Sequence, residues 1–242
     1  HVLPHTIGRI RRIVWGKKRR IWGGDIDLYQ FFVMKFRQWL VKGWDEYYFL
    51  FSFLIDNKGA FSMANSRRFL MIGAHPDDAD IRFGGTGIQL AKAGHAVKFV
   101  SMTNGNCGHR VQHGKELALR RLQETQKAAA IFGIEEYQVM DHHDCELEVT
   151  LANRKEVIGL IRAFRPDVVL SHRTCDYHAD HRACAQLVQD AAYLVMVPQF
   201  CPETPIPEVN PIFACVFDSF TDPRPARPDA AVAIDAVYDQ KN

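Results

Sequence analysis

The stretch FLMIGAHPDDAD, residues 69–80, decides the fold and raises the question of function. It opens with an apolar run that is typical of a buried strand. It then places one histidine and three aspartates within six positions. A turn after a strand needs far fewer ionisable side chains, so this density of charge indicates chemistry at the end of the strand.

The pattern outward from this stretch alternates short apolar strands with amphipathic helices. Strands are predicted at 69–74, 96–103, 137–141 and 167–172, with two further runs at 212–220 and 231–237. Helices are predicted at about 84–94, 115–132, 153–164 and 180–194. This alternation predicts an α/β fold: a Rossmann-like, doubly wound, mostly parallel sheet flanked by helices. In the common strand order 3-2-1-4-5, the first and fourth strands are neighbours, and ligands bind between their carboxyl ends.

A second charged stretch, SHRTCDYHADH at 171–181, follows the fourth strand, so the predicted topology brings the two stretches together. They offer eight candidate ligands: His75, Asp77, Asp78, His172, Asp176, His178, Asp180 and His181. Imidazole and carboxylate suit a divalent metal, zinc most readily, with iron(II) as the alternative. Each motif alone has a plainer interpretation, as an N-capped turn or a solvated helix start. Their convergence at one crevice favours a metal site.

These paired motifs resemble the PIG-L/LmbE-like zinc N-deacetylases, whose hallmark is A-H-P-D-D after the first strand and a later H-x-x-H. Here they stand as Ala74–Asp78 and His178–His181. The resemblance covers about residues 67–242 and includes GGTG at 84–87 and TNG at 103–105. Members of the family remove acetyl groups from N-acetylglucosamine-type substrates, which implies a hydrolase with a zinc cofactor.

The resemblance also implies roles for individual residues. The implied zinc ligands are His75, Asp78 and His181. Asp77 is implied as the general base, and His178 as an acid or oxyanion stabiliser. Asp180 is expected to orient a histidine, and Arg121 resembles the family arginine that contacts substrate.

Composition narrows the class of protein further. The chain has 242 residues, 47% of them apolar, which is enough for one sizeable core. A net charge of +2 gives no reason to expect nucleic acid as a partner. Six scattered cysteines indicate free thiols in a reducing compartment, so a cytoplasmic location is predicted. The expected partner is a small amino-sugar substrate, and a homo-oligomer is left open.

Residues 1–66 differ from the rest of the chain. They hold 11 Lys and Arg against 5 Asp and Glu, while the remainder carries a net charge of −4, and all four tryptophans lie in the first 44 residues. Charged residues interrupt the apolar run at 31–55, so no transmembrane span is predicted. This extension is interpreted either as a basic arm that contacts a membrane surface or a partner, or as a segment with no fold of its own.

The predicted organisation is therefore a basic, Trp-rich extension at 1–66 and a PIG-L/LmbE-like deacetylase domain at 67–242. The domain is expected to be truncated at its C-terminus, because family chains continue into a further helix. DHHDCE at 141–146 is expected at the rim of the pocket or on the surface. Two other functions remain open: an amidase of the same family that cleaves a larger amide conjugate, and a catalytically silent, metal-containing sugar-binding protein.

Overall fold

The computed structural model describes residues 66–242, together with the backbone of three short strands that precede them. These strands are β1 (Arg19–Ile21), β2 (Gly24–Ile26) and β3 (Tyr29–Val33). The rest of the basic, Trp-rich extension lies outside the described residues. Among the described residues, no helix is long and apolar enough to cross a bilayer.

The main sheet has seven strands in the order β6-β5-β4-β7-β8-β3-β9. Its remaining members are β4 (Arg68–Gly73), β5 (Ala96–Thr103), β6 (Glu136–His142), β7 (Val168–Ser171), β8 (Ile212–Val216) and β9 (Ala230–Ala233). The first five in this order are parallel, and β4 pairs with β5 on one side and with β7 on the other. The predicted order 3-2-1-4-5 is therefore confirmed.

The sheet also contains a strand that the sequence did not indicate. β3 lies antiparallel between β8 and β9, so five residues of the N-terminal extension join the sheet. The predicted domain boundary near residue 66 stays a prediction. Two predicted strands end early: the run at 212–220 is a strand only to Val216. The run at 231–237 leaves the strand after Ala233 and ends in a 3₁₀ turn, Asp235–Val237.

The helices are α1 (Asp78–Lys92), α2 (Gly114–Phe132), α3 (Leu151–Phe164), α4 (Ala179–Leu194) and the short α5 (Tyr238–Lys241). The predicted start of the first helix was wrong, because α1 begins six residues earlier than the expected residue 84. A Cβ on Gly85 would lie 2.9 Å from the Ile234 side chain, and one on Gly87 would lie 2.8 Å from the Phe99 ring. These glycines allow close packing of the helix, which outweighs their low helix propensity.

Alternate side chains of β4 enter two separate cores. Phe69 and Met71 pack with α1 and α2 on one face, while Leu70 and Ile72 pack with α3 and α4 on the other. Because both faces are covered, the strand is apolar at every interior position. Its polar residues are left for the turn that follows, at the carboxyl edge of the parallel strands.

Candidate metal centre

The turn after β4 presents one anchored carboxylate. The backbone N–H groups of Asp77 and Asp78 both donate to the His75 carbonyl, at 2.8 and 3.2 Å. The Asp78 side chain folds back, and its Oδ2 accepts the N–H groups of Ala74 at 3.0 Å and His75 at 2.7 Å. Position 73 must be small, since a Cβ on Gly73 would lie 2.7 Å from the Asp78 Cβ. The turn thus fixes the carboxylate before any ligand arrives.

The three predicted metal ligands lie together. His75 Nδ1 is 3.1 Å from His181 Nε2 and 3.4 Å from Asp78 Oδ2, and His181 Nε2 is 3.3 Å from Asp78 Oδ1. Ligands about 2.0–2.1 Å from a tetrahedral zinc ion are separated from one another by about 3.3 Å. The donor set and its spacing therefore fit one divalent metal. The assignment of each ligand stays a prediction.

Both histidines turn their other ring nitrogen towards carboxylates. His75 Nε2 lies 3.1 Å from Asp144 Oδ1 and 3.2 Å from Asp180 Oδ2. His181 Nδ1 lies 3.1 Å from Asp176 Oδ1. Metal-binding histidines almost always donate their outer N–H in this way, which sets the tautomer and raises the basicity of the ligating nitrogen.

The same carboxylates shift the pKa values of the histidines. Burial would lower the pKa of His75, but the carboxylates of Asp144 and Asp78 outweigh it and raise that pKa to about 10. Burial is likewise outweighed at His181, where Asp176 and Asp78 raise the pKa to about 9. Burial opposes ionisation of Asp78, but the surrounding histidines hold its pKa well below the usual range. The carboxylates therefore favour the protonated, positively charged forms of His75 and His181.

His178 is also in the cluster, but its electrostatic environment is different. Its ring centroid lies 4.5 Å from that of His75 and 5.0 Å from that of His181. Its Nδ1 accepts the Asp180 backbone N–H at 3.2 Å, which caps α4. Burial and the positive charges of His75 and His181 lower the pKa of His178. The ring is then neutral near pH 7, with its proton on Nε2.

His172 packs against the ring of His181 at one side of the cluster. Its ring stacks on that of His181, with centroids 4.1 Å apart and planes 6° from parallel. Its Nε2 accepts the Ala74 N–H at 3.1 Å and lies 3.2 Å from Asp78 Oδ2. Although Asp78, His172 and His181 also have metal-ligand spacing, the bond from Ala74 occupies the His172 nitrogen. We therefore assign His172 to the packing of the site.

Asp77 lies beside Arg121 in the structure. Arg121 Nη2 donates to Asp77 Oδ2 at 2.5 Å, and its Nη1 donates to Glu124 at 3.0 Å. The TNG run shapes this corner, because Gly105 has φ +69° and a Cβ there would lie 3.0 Å from the Pro76 ring. Arg121 thus holds the proposed base, while its predicted contact with substrate stays a prediction.

Asp144 also lies at the site, although it was not among the predicted site residues. The loop after β6 was expected at the rim, yet Asp144 is only 4% exposed and contacts His75. The loop returns over the start of α4, where the Cys145 and Leu147 N–H groups donate to the Asp180 carboxylate at 2.7 and 3.2 Å. The sequence did contain an indication of this role, since HHD at 142–144 comes at the end of a strand just as HPDD at 75–78 does. It was discounted because the third strand lies farther from the crevice.

The cysteines near the site do not serve as ligands in this arrangement. The described clusters with metal-ligand spacing contain only histidine and aspartate. Burial and the Asp144 carboxylate raise the pKa of Cys145 to about 12, which keeps its thiol neutral.

Comparison with known proteins agrees with this geometry. The family model for PIG-L, described as GlcNAc-PI de-N-acetylase, matches residues 70–192. The chain belongs to the PIG-L family. It is 36% identical over 139 residues to the diacetylchitobiose deacetylase of Thermococcus kodakarensis, a match that covers 55% of this chain and 52% of that protein. The chain thus aligns with about half the length of this relative.

Other relatives extend the comparison. The chain is 27% identical over 184 residues to the 4-oxalmesaconate hydratase of Pseudomonas putida, a match that covers 71% of this chain and 69% of that protein. Among solved structures, the N,N'-diacetylchitobiose deacetylase of Pyrococcus horikoshii superposes with a TM-score of 0.66 at 23% identity, covering 84% of this PIG-L chain and 78% of that one. This likeness shows the fold, which is the predicted parallel sheet flanked by helices.

Proposed function

We propose that this PIG-L chain is a zinc-dependent hydrolase that removes the N-acetyl group from an N-acetylglucosamine-type sugar or glycoside. One observation carries the proposal: His75 Nδ1 and His181 Nε2 lie 3.1 Å apart, and the two carboxylate oxygens of Asp78 lie 3.4 Å from the first and 3.3 Å from the second. Carboxylates contact the other ring nitrogen of both histidines. The family and the deacetylase relative support the choice of substrate. Iron(II) fits the same donor set, so zinc itself is part of the proposal.

The proposal gives separate roles to the metal ligands, the general base and the arginine beside it. His75, Asp78 and His181 would hold the metal, which when bound supplies a Lewis acid that acidifies a water molecule and polarises the acetyl carbonyl. Asp77 accepts the proton of that water and later returns it to the departing amine. Arg121 keeps the Asp77 carboxylate in one orientation through the 2.5 Å hydrogen bond.

His178 acts in this proposal as a hydrogen-bond donor. Its Nδ1 is occupied by the Asp180 N–H, and its lowered pKa leaves it neutral. The Nε2–H can therefore stabilise the oxyanion that develops on the acetyl oxygen, but it is a poor source of a full proton. Of the two roles that the sequence left open for His178, these contacts favour oxyanion stabilisation.

Two other functions use the same centre. An amidase would cleave a larger amide conjugate by the same steps, and a silent protein would bind a sugar without turnover. The hydratase relative adds a third chemistry, since addition of water to a double bond also needs an activated water. The substrate therefore has to be tested directly. A cytoplasmic location and a homo-oligomer stay predictions.

The test compares wild type with Asp77→Asn. Metal content is measured by mass spectrometry, and release of the free amine is measured on N-acetylglucosamine, diacetylchitobiose and a larger N-acyl conjugate. Asp239→Asn, an exposed position in α5, serves as the matched control. We expect about one zinc per chain in all three proteins, and a loss of turnover of about 10²–10⁴-fold in Asp77→Asn alone.

The other possible outcomes would each reject a proposed role or support a different function. Full activity of Asp77→Asn would remove Asp77 as the base. Cleavage of the conjugate alone would establish the amidase. Bound metal with no free amine from any substrate, but addition of water to 4-oxalmesaconate, would establish a hydratase. A chain that binds no zinc even when zinc is supplied would refute the metal centre itself.

A further inference from the structure

Two aromatic side chains stand at the edge of the metal centre. The Tyr177 ring centroid lies 5.8 Å from that of His178, 5.7 Å from that of His181 and 5.4 Å from that of Phe220. Tyr177 is 71% exposed, although it directly precedes the histidine that begins the HADH motif. A large aromatic ring that is exposed beside a candidate metal centre is available to contact a bound ligand.

Separate arginines fix the backbone of each aromatic residue. Arg182 Nη1 donates to the Tyr177 carbonyl at 2.9 Å. Arg173 binds both oxygens of the buried Asp218 at 2.5 Å and donates to the Phe220 carbonyl at 3.2 Å. Asp218 in turn accepts the Phe220 N–H at 2.9 Å. The backbone segments that carry the two rings are therefore held in place, which lowers the entropic cost of using the rings to bind a ligand.

The pair has the shape of a platform for a sugar ring. Its two rings are tilted by 58° to one another, and the Tyr177 ring contacts His178 and His181 of the polar cluster. One face of a pyranose carries mainly C–H groups, and such a face packs on aromatic rings while its hydroxyls stay in water. Sites for small polar ligands commonly combine an aromatic wall with a few convergent polar groups in this way.

We propose that Tyr177 and Phe220 form a binding subsite for a second sugar ring, so that the substrate is a glycoside of at least two rings. This inference rests on the proposed function, in which the first ring places its acetyl group at His75, Asp78 and His181. The platform adjoins His178 and His181, so it is reached by the neighbouring ring of the same substrate.

The test measures kcat/KM for acetate release from diacetylchitobiose and from N-acetylglucosamine, and takes their ratio. We expect this ratio to fall about tenfold in Tyr177→Ala and in Phe220→Ala, the loss that one stacked aromatic contact produces. Tyr177→Phe retains the ring and should retain the ratio, which separates stacking from any role of the hydroxyl. Tyr193→Ala, a similarly exposed tyrosine on α4, is the matched control and should leave the ratio unchanged.

A second measurement does not depend on turnover. In the Asp77→Asn background, calorimetry with intact diacetylchitobiose and N-acetylglucosamine should show tighter binding of the disaccharide, and adding Tyr177→Ala should abolish that preference. If this preference holds but no acetate is released by wild type, the subsite stands and the deacetylase proposal fails. Equal losses for both sugars, an unchanged ratio, or binding of neither sugar would overturn the subsite.

Discussion

The turn after β4 leads to a prediction at Gly73. A methyl group at this position would lie 2.7 Å from the Asp78 Cβ, and ordinary contacts at such positions begin at 3.4 Å. Gly73→Ala therefore pushes the Asp78 side chain away by about 0.7 Å. The contact is with a buried aspartate next to the backbone, so no flexible side-chain end can absorb the displacement.

The cost follows from the bonds that this shift disturbs. Asp78 Oδ2 accepts two buried backbone N–H groups, at 3.0 and 2.7 Å, and a hydrogen bond to a charged group contributes about 1.5–3 kcal/mol. Partial loss of both gives a decrease of about 2–4 kcal/mol in the free energy of unfolding. For a domain of this size, that corresponds to a fall in Tm of about 5–15 °C. A displaced ligand should also weaken zinc binding by about 10–100-fold.

The assay is urea unfolding of the zinc-loaded and the chelator-treated protein, with zinc affinity measured by competition against a coloured chelator. Gly159→Ala is the matched control, because this α3 position has no atom within 4 Å of an added Cβ. It should stabilise the protein by about 0.5–1 kcal/mol. If Gly73→Ala stabilises the protein as Gly159→Ala does and leaves zinc affinity unchanged, then the close approach of residue 73 to the Asp78 Cβ does not fix this ligand.

Three further predictions follow from the same contacts. Asp144→Asn should weaken zinc binding by about 10–100-fold in the chelator competition, because the outer nitrogen of His75 loses a charged partner; unchanged affinity would contradict this role. Without metal, the pKa values of His75 and His181 are raised from 6.5 to about 10 and about 9. The stability that they add is present in full below pH about 6.5 and declines as pH rises through 9 to 10. Zinc must displace these protons, so its apparent affinity should rise between pH 7 and 9, and a flat profile would argue against these ligands. Arg162→Met should destabilise the protein by about 3–5 kcal/mol in urea unfolding, because the buried guanidinium donates to five backbone carbonyls; the exposed Arg165→Met is the control, and equal effects would contradict the reason.

The sequence predicted the arrangement that creates the site, because that arrangement depends on local signals. Continuous apolar runs marked the parallel strands, and the common order of doubly wound sheets placed β4 beside β7. The two charged motifs then had to meet at one edge. The two motifs offered eight candidate ligands, and the resemblance to the PIG-L family implied His75, Asp78 and His181 among them.

The missed features depend on contacts between distant parts of the chain. The start of α1 was placed at residue 84, six residues too late, and the contacts of Gly85 and Gly87 with Ile234 and Phe99 cannot be seen in the sequence. Asp144 was missed because it follows β6, which is an edge strand of the sheet. It reaches the crevice because the loop after β6 runs back over the start of α4. β3 was missed because its pairing with β8 and β9 links residues separated by nearly the whole chain.

The proposed metal ligands and Phe220 lie on different segments of the chain, so the substrate could change while the metal site stays the same. The proposed ligands lie at the ends of β4 and at the start of α4, where buried strands and backbone hydrogen bonds hold them. Phe220 lies in the loop after β8, where Arg173 and Asp218 hold its backbone. Substitutions at Phe220 can thus alter which sugar is bound without moving a ligand. Substitutions at Arg173 should release the loop and weaken disaccharide binding, while zinc affinity stays the same.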